Sequence, residues 1–115
     1  MQIAYTRMIS PPVSQTITDV ILLNLMLLIP CTTSALSQGY RLLDLAREYQ
    51  NEGKVSRILS MGKKDPTIPL REEVFLVSKV WPTHLGFHPT TREVYESMRA
   101  LQTPYIDMYM LHWPT

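Results

Sequence analysis

The sequence predicts an α/β fold built on parallel strands, and three observations predict it. From Gly39 onward, apolar runs of strand length alternate with stretches of helical periodicity, in the order strand, helix, strand, helix, strand. The connections between successive strands are long enough for the crossovers that keep them parallel. Residues 74–80, VFLVSKV, form a continuous run with enough β-branched residues for a strand buried on both faces.

Residues 1–38 differ in character from the rest of the chain. They are rich in Ser, Thr and apolar residues, broken by Pro11-Pro12 and Pro30, and contain no glycine. Within them residues 20–29, VILLNLMLLI, are apolar except for Asn24. This run is about half of the roughly 20 residues a helix needs to cross a bilayer. Its length would suit the core of a secretory signal, and Thr33-Ser34-Ala35 offers small residues for a cleavage point. The flanks argue otherwise, because a long segment carrying only Arg7 precedes the run and Asp19 abuts it. The expectation is a helix around residues 17–29, packed by Val20, Leu23, Leu27 and Leu28 or left partly exposed, with a secreted or membrane-tethered chain as the alternative. The chain thus divides into a divergent segment, 1–38, and a regular part, 39–115.

In the regular part, Leu42, Leu43, Asp44 and Leu45 fit a short buried strand. From Asn51 to Met61, Val55, Ile58 and Leu59 recur at helical spacing with Lys54 and Arg57 opposite, and Gly62 marks the helix end. A polar loop with Pro66 and Pro69 leads to the strand at 74–80. Thr90 and Glu93 have the spacing of a capping box, and Val94, Met98 and Leu101 continue as one helix face. After Pro104, YIDMYML at 105–111 reads as a third strand, with Met108 and Met110 as core fillers.

Composition narrows the function. The 115 residues are 45% hydrophobic, which suits a single small globular domain or a piece of one. The formal charge is +1 and the basic residues are scattered, so a nucleic-acid partner is not expected. Cys31 is the single cysteine; it has no disulfide partner within the chain and reads as a buried apolar residue. His84 and His88 lie in PTHLGFHP, where prolines and a glycine disfavour a helix and no acid or thiol is close, so they read as loop residues and no metal site is expected.

In parallel α/β folds the working face lies at the carboxyl ends of the strands. Asp44 comes near the end of the first strand, Lys79 of the second and His112 of the third, and Tyr49 lies just past the first. A tyrosine hydroxyl, ordinarily near pKa 10, is a poor acid at neutral pH; an adjacent ammonium favours its phenolate and so eases proton donation. Lys79 could supply that charge with Asp44 holding it, and His112 could orient a carbonyl oxygen on which negative charge develops. Together they form a device for protonating a carbonyl oxygen while another group attacks its carbon.

GYRLLDLAREYQNE, FLVSKVW and DMYMLHWP resemble, in order and spacing, the aldo-keto reductases over about residues 36–115. The resemblance implies a (β/α)8 TIM barrel, of which this chain would form the first three or four βα units. It implies reduction of an aldehyde or ketone by hydride from NADPH, with NADH as the alternative, in a cytoplasmic enzyme. Tyr49 matches the family's proton donor, Lys79 and Asp44 its paired charges, and His112 its orienting imidazole. Asp44 is also carried over as a cofactor contact, and Trp81 and Trp113 as substrate-pocket walls suited to an aromatic, apolar carbonyl compound. The sequence departs from the family at Leu45, where Thr or Ser is commoner, at Ser56, which replaces a glycine, and in residues 1–38, which lack the family's early glycines. A whole barrel typically takes about 250 residues. The competing reading is therefore a truncated, inactive chain that acts only by association with another, or not at all. An uncovered sheet edge and apolar face would favour self-association.

Overall fold

The computed structural model describes residues 27–114 and the backbone of residues 16–17. Its elements are β1 (Thr16–Ile17), α1 (Leu28–Ser37), β2 (Leu42–Asp44), α2 (Glu52–Met61), β3 (Phe75–Val80), α3 (Phe87–Leu101) and β4 (Met108–Leu111). The four strands form one sheet in chain order, every neighbouring pair parallel. The sheet order β1-β2-β3-β4, with α1, α2 and α3 in the crossovers, is the sequentially wound βα pattern expected from the alternation of strand and helix periods.

The core lies between the sheet and the helices. Leu43 and Leu76, paired in register on β2 and β3, meet Leu36 of α1, Val55 and Ile58 of α2 and Leu101 of α3. Because side chains alternate along a strand, Leu76, Ser78 and Val80 point toward the helices and Val77 and Lys79 toward the opposite face. All five are buried, as the unbroken run in the sequence anticipates.

Gly39 and Gly62 each answer a local demand. Gly39 follows the last turn of α1 at φ +102°, and its N–H and that of Tyr40 close back onto Leu36 and Ala35 carbonyls, a left-handed helix stop that disfavours a Cβ. Gly62 does end α2, but with right-handed φ; what demands glycine there is space, since a Cβ would stand 2.7 Å from the Pro69 carbonyl oxygen.

The loop into β3 is fixed by Arg71. Its guanidinium donates to the Thr103 hydroxyl, the Val74 and Tyr105 carbonyls and the Asp107 carboxylate, and it lies 4.1 Å from the Tyr105 ring centroid. Asp107 in turn accepts from the Leu76 N–H at 2.9 Å, so the chain entering β4 is bound to the start of β3.

Several expectations are corrected. Thr16–Ile17 pairs with β2 as strand, not helix, and the next helix begins at Leu28; Val20 and Leu23 and most of the run 20–29 lie outside the described residues. Leu28 is buried but Leu27 is exposed. Pro30 does not break α1; it occupies the first turn, where its missing N–H costs no hydrogen bond. Cys31 is exposed rather than buried, on the outer side of the same turn. The Thr90–Glu93 capping box does not form, because α3 starts earlier, at Phe87; Thr90 bonds the His84 carbonyl and Glu93 turns inward. His88 accordingly sits in the first turn of α3, whereas His84 closes a short 3-10 turn. The last strand begins at Met108 rather than 105, and Met108 and Met110 are exposed, because β4 is the edge strand and they lie on the face away from the helices. No group of acids, histidines and cysteine among the described residues could hold a metal ion, and no helix there is long and apolar enough to cross a membrane.

A layer of polar groups is buried between sheet and helices. Ser78 donates to Glu52 of α2 at 2.7 Å, Glu93 of α3 pairs with Arg47 at 3.5 Å, and Ser97 of α3 lies 3.3 Å from the Tyr109 hydroxyl of β4. Burial, with the Glu52 and Glu93 charges adding to it against the Ser97 hydrogen bond and Arg47, raises the Tyr109 phenol above its ordinary value near 10. A raised phenol pKa in the fold means that stability is intact below the unfolded value and falls as pH climbs from about 10 through the folded one. Tyr109→Phe should flatten that alkaline decline in urea unfolding measured between neutral pH and pH 11.

The two glycines of α2 and its end should respond oppositely to alanine. Gly62→Ala should lose about 1–3 kcal/mol through the carbonyl clash. Gly53→Ala, where a Cβ meets nothing within 4 Å, should gain about 0.4–1 kcal/mol. Paired urea titrations would measure both.

Candidate active site

The sheet delivers its chemistry on the face away from the helices, at the carboxyl ends of the strands. Asp44 is the last residue of β2, and register places it beside Val77, two residues before Lys79 on the same face of β3. The Lys79 ammonium meets the Asp44 carboxylate directly and donates to the Leu45 carbonyl at 3.2 Å. Its side chain is only 10% exposed, and an ammonium that far from water needs both acceptors.

Past Asp44 the ladder runs one residue further, Leu45 N–H donating to the Val77 carbonyl at 2.8 Å. The chain then turns through a 3-10 segment, Arg47–Tyr49, and Gln50 ends it in the left-handed region at φ 52°. This turn places the Tyr49 ring with its centroid 5.0 Å from the Lys79 nitrogen.

His112 arrives from the other side. It lies directly after β4, its backbone N–H donates to the Val80 carbonyl at 3.0 Å, and strand alternation puts its side chain on the face of Lys79. Its Nε2 lies 3.3 Å from the Tyr49 hydroxyl, the donor set by the imidazole tautomer. Trp81, directly after β3, and Trp113 both stand edge-on to the imidazole, with centroids 5.0 and 4.7 Å away, and to each other at 4.6 Å. The imidazole Nδ1 is buried and has no hydrogen-bond partner among the described residues.

The four polar side chains singled out in the sequence thus stand together at one end of the sheet, with the two indoles beside them. The arrangement offers a hydroxyl and an imidazole nitrogen converging on one point, a cation behind the phenol ring, and an apolar aromatic wall. Sequence reasoning missed what lies beneath: Arg47, Glu52, Ser78 and Glu93. The available signal was the position of Ser78, which with Lys79 interrupts an otherwise apolar buried run, where a hydroxyl needs a partner.

The sequence pattern of the Aldo/keto reductase family matches residues 28–115. The chain is 39% identical over 82 residues to morphine 6-dehydrogenase of Pseudomonas putida, covering 71% of this chain and 26% of that protein. It is 38% identical over 81 residues to glyoxal reductase of Bacillus subtilis, covering 70% and 28%. Among solved structures, aldose reductase of Giardia lamblia matches 77% of this chain and 29% of its own at 30% identity and a TM-score of 0.70. An aldo-keto reductase crystallised with NADPH matches 86% and 30% at 21% identity and a TM-score of 0.74, a likeness of fold. The chain therefore spans between a quarter and a third of the length of these proteins.

The pairing of Lys79 with Asp44 can be weighed alone. Lys79→Met should destabilise the chain by about 2–3 kcal/mol, below the roughly 3–5 of a fully buried pair because Asp44 keeps 24% exposure. Asp44→Asn added to it should recover part of that loss in urea unfolding, since the stranded carboxylate is then gone.

Proposed function

The chain belongs to the Aldo/keto reductase family, and from that membership and the site we propose that it carries the proton-donating machinery of an NADPH-dependent reduction of an aldehyde or ketone to an alcohol. The observation that supports this most directly is the Tyr49 hydroxyl 3.3 Å from His112 Nε2, with the Lys79–Asp44 pair behind it.

In this reading Tyr49 is the general acid. As the carbonyl oxygen gains electron density, the Tyr49 proton moves onto it, and the charge left on the phenolic oxygen develops beside the Lys79 ammonium. Asp44 and the Leu45 carbonyl hold that ammonium in place. His112 orients the carbonyl oxygen toward the hydroxyl. Trp81 and Trp113 line the apolar side, which favours an aromatic or otherwise apolar carbonyl compound and keeps water from the proton path.

A reduced nicotinamide, when bound, supplies the hydride for the carbonyl carbon. The residues present fit its reacting end: Asp44 retains part of its carboxylate surface at the strand end and can accept from a ribose hydroxyl while Lys79 holds its other side. The phosphate end is another matter, since the four glycines, at 39, 53, 62 and 86, stand singly and make no phosphate-cradling loop. NADPH is the proposed donor, with NADH the alternative.

The test is a chimaera in which this chain replaces the matching segment of the Bacillus subtilis glyoxal reductase. It should oxidise NADPH in the presence of an aromatic aldehyde. Tyr49→Phe should lower kcat by roughly 100-fold or more, the ordinary worth of general acid catalysis, while NADPH binding followed by fluorescence stays nearly intact. Full turnover by Tyr49→Phe would remove the tyrosine from the role.

A further inference from the structure

The segment that carries Tyr49 is pinned at both ends to two consecutive residues of one strand. On its N-terminal side Asp44 meets Lys79; on its C-terminal side Glu52, the first residue of α2, accepts from the Ser78 hydroxyl at 2.7 Å. Ser78 and Lys79 are adjacent on β3 and so point to opposite faces. The Lys79 link therefore lies on the site face and the Ser78 link on the helix face, with the Tyr49 turn crossing the carboxyl end of the sheet between them.

Both members of the second link are sealed from water. Ser78 is 0% exposed and Glu52 4%, so neither could exchange its partner for solvent without cost. A third tie, Arg47 to Glu93 at 3.5 Å and Glu96 at 3.8 Å on α3, steadies the outer side of the same turn. A merely stabilising contact could sit anywhere along α2. This one joins the residue three positions after Tyr49 to the residue immediately before Lys79.

We propose that Ser78 and Glu52 are positioning residues: the buried hydrogen bond between them sets where the Tyr49 hydroxyl stands relative to Lys79 and His112. Asp44 and the Leu45 N–H fix the start of the turn and Arg47 ties its exposed side to α3; the Glu52–Ser78 link is the buried one, and it fixes the end of the turn that follows Tyr49. Displacements near 1 Å at a proton donor can cost on the order of 100-fold in rate, so the link matters to the reaction without touching a reactant. The inference rests on Tyr49 as the donor for its meaning, but its test needs no turnover.

The readout is the ring nitrogen resonances of His112 in the 115-residue chain carrying labelled histidine. Tyr49→Phe identifies them among the three histidines and gives their position without the tyrosine hydroxyl. Ser78→Ala should move the Nε2 resonance toward that position, and Ser78→Thr, which keeps the hydroxyl, should restore it. In the Tyr49→Phe background Ser78→Ala should add no further displacement, whereas a general loosening of the fold would disturb His112 equally in both. Glu52→Asp, one methylene too short for the link, is the second variant for a Ser78→Ala chain that fails to fold, and should give the same displacement. An Nε2 resonance unmoved in Ser78→Ala or Glu52→Asp, or moved equally with and without the tyrosine hydroxyl, overturns the proposal. Absence of reductase activity in the chimaera carrying the unsubstituted chain, with these resonances behaving as described, would count against the function alone.

Discussion

A lysine ammonium buried near the carboxyl end of β3 is the constraint on which the rest of the site depends. Lys79 belongs to a run whose other members are apolar or, in Ser78, neutral, and a charge there is tolerable only with acceptors at close range. Asp44 and the Leu45 carbonyl are those acceptors, and both come from the end of β2. The strand pairing Asp44↔Val77 is thus reinforced by a charge contact one pleat further on. A one-residue slip of β2 would turn Asp44 toward the apolar core and leave Lys79 unpaired, so the register is specified electrostatically as well as by the Leu43 and Leu76 contact.

The same strand separates two chemistries that would interfere if mixed. Its helix-facing positions hold Leu76, Ser78 and Val80, and around Ser78 gather the buried Glu52, Glu93 and Ser97 with the half-buried Tyr109. Its other face holds Lys79 with the acid, phenol and imidazole of the site. Two carboxyl groups, those of Glu52 and Glu93, belong to the helix side, while the one cation of β3 lies on the other face beside the Tyr49 ring. Strand alternation, not distance along the chain, makes this division.

Much of this was legible in the sequence, and for definite reasons. The strand at 75–80 and the helix at 52–61 have strong, single periods, and they appear nearly as read. The convergence of Asp44, Tyr49, Lys79 and His112 is dictated once the strands are parallel, since each residue stands at or just beyond a strand's carboxyl end. What misled were signals with two physical meanings. Pro30 reads as a breaker, yet the first turn of a helix accepts proline. Thr90 and Glu93 have capping-box spacing, but α3 begins earlier, at Phe87, and Glu93 is buried in a pair with Arg47, a contact between distant segments that no local pattern encodes. Met108 and Met110 read as core by hydrophobicity alone; position at the sheet edge decides instead.

His112 comes directly after the exposed β4, yet it is held firmly enough to meet Tyr49 because β4 borrows its order from β3. Its Tyr109 is fastened to Ser97 under the sheet, its entering loop is bound through Asp107 to the Leu76 N–H, and His112 itself hangs from the Val80 carbonyl. Trp81, the residue after Val80, then closes on the imidazole edge-on. Every member of the site is referred back to the same strand: Lys79 belongs to it, Asp44 is paired to it, Tyr49 is bridged across it and His112 is suspended from its end. β3 is the most deeply buried of β2, β3 and β4, and it anchors the hydrogen bonds that steady both sides of the Tyr49–His112 contact. The proposed proton donor and its proposed orienting group therefore share one reference frame, which is what a transfer over hydrogen-bond distance requires.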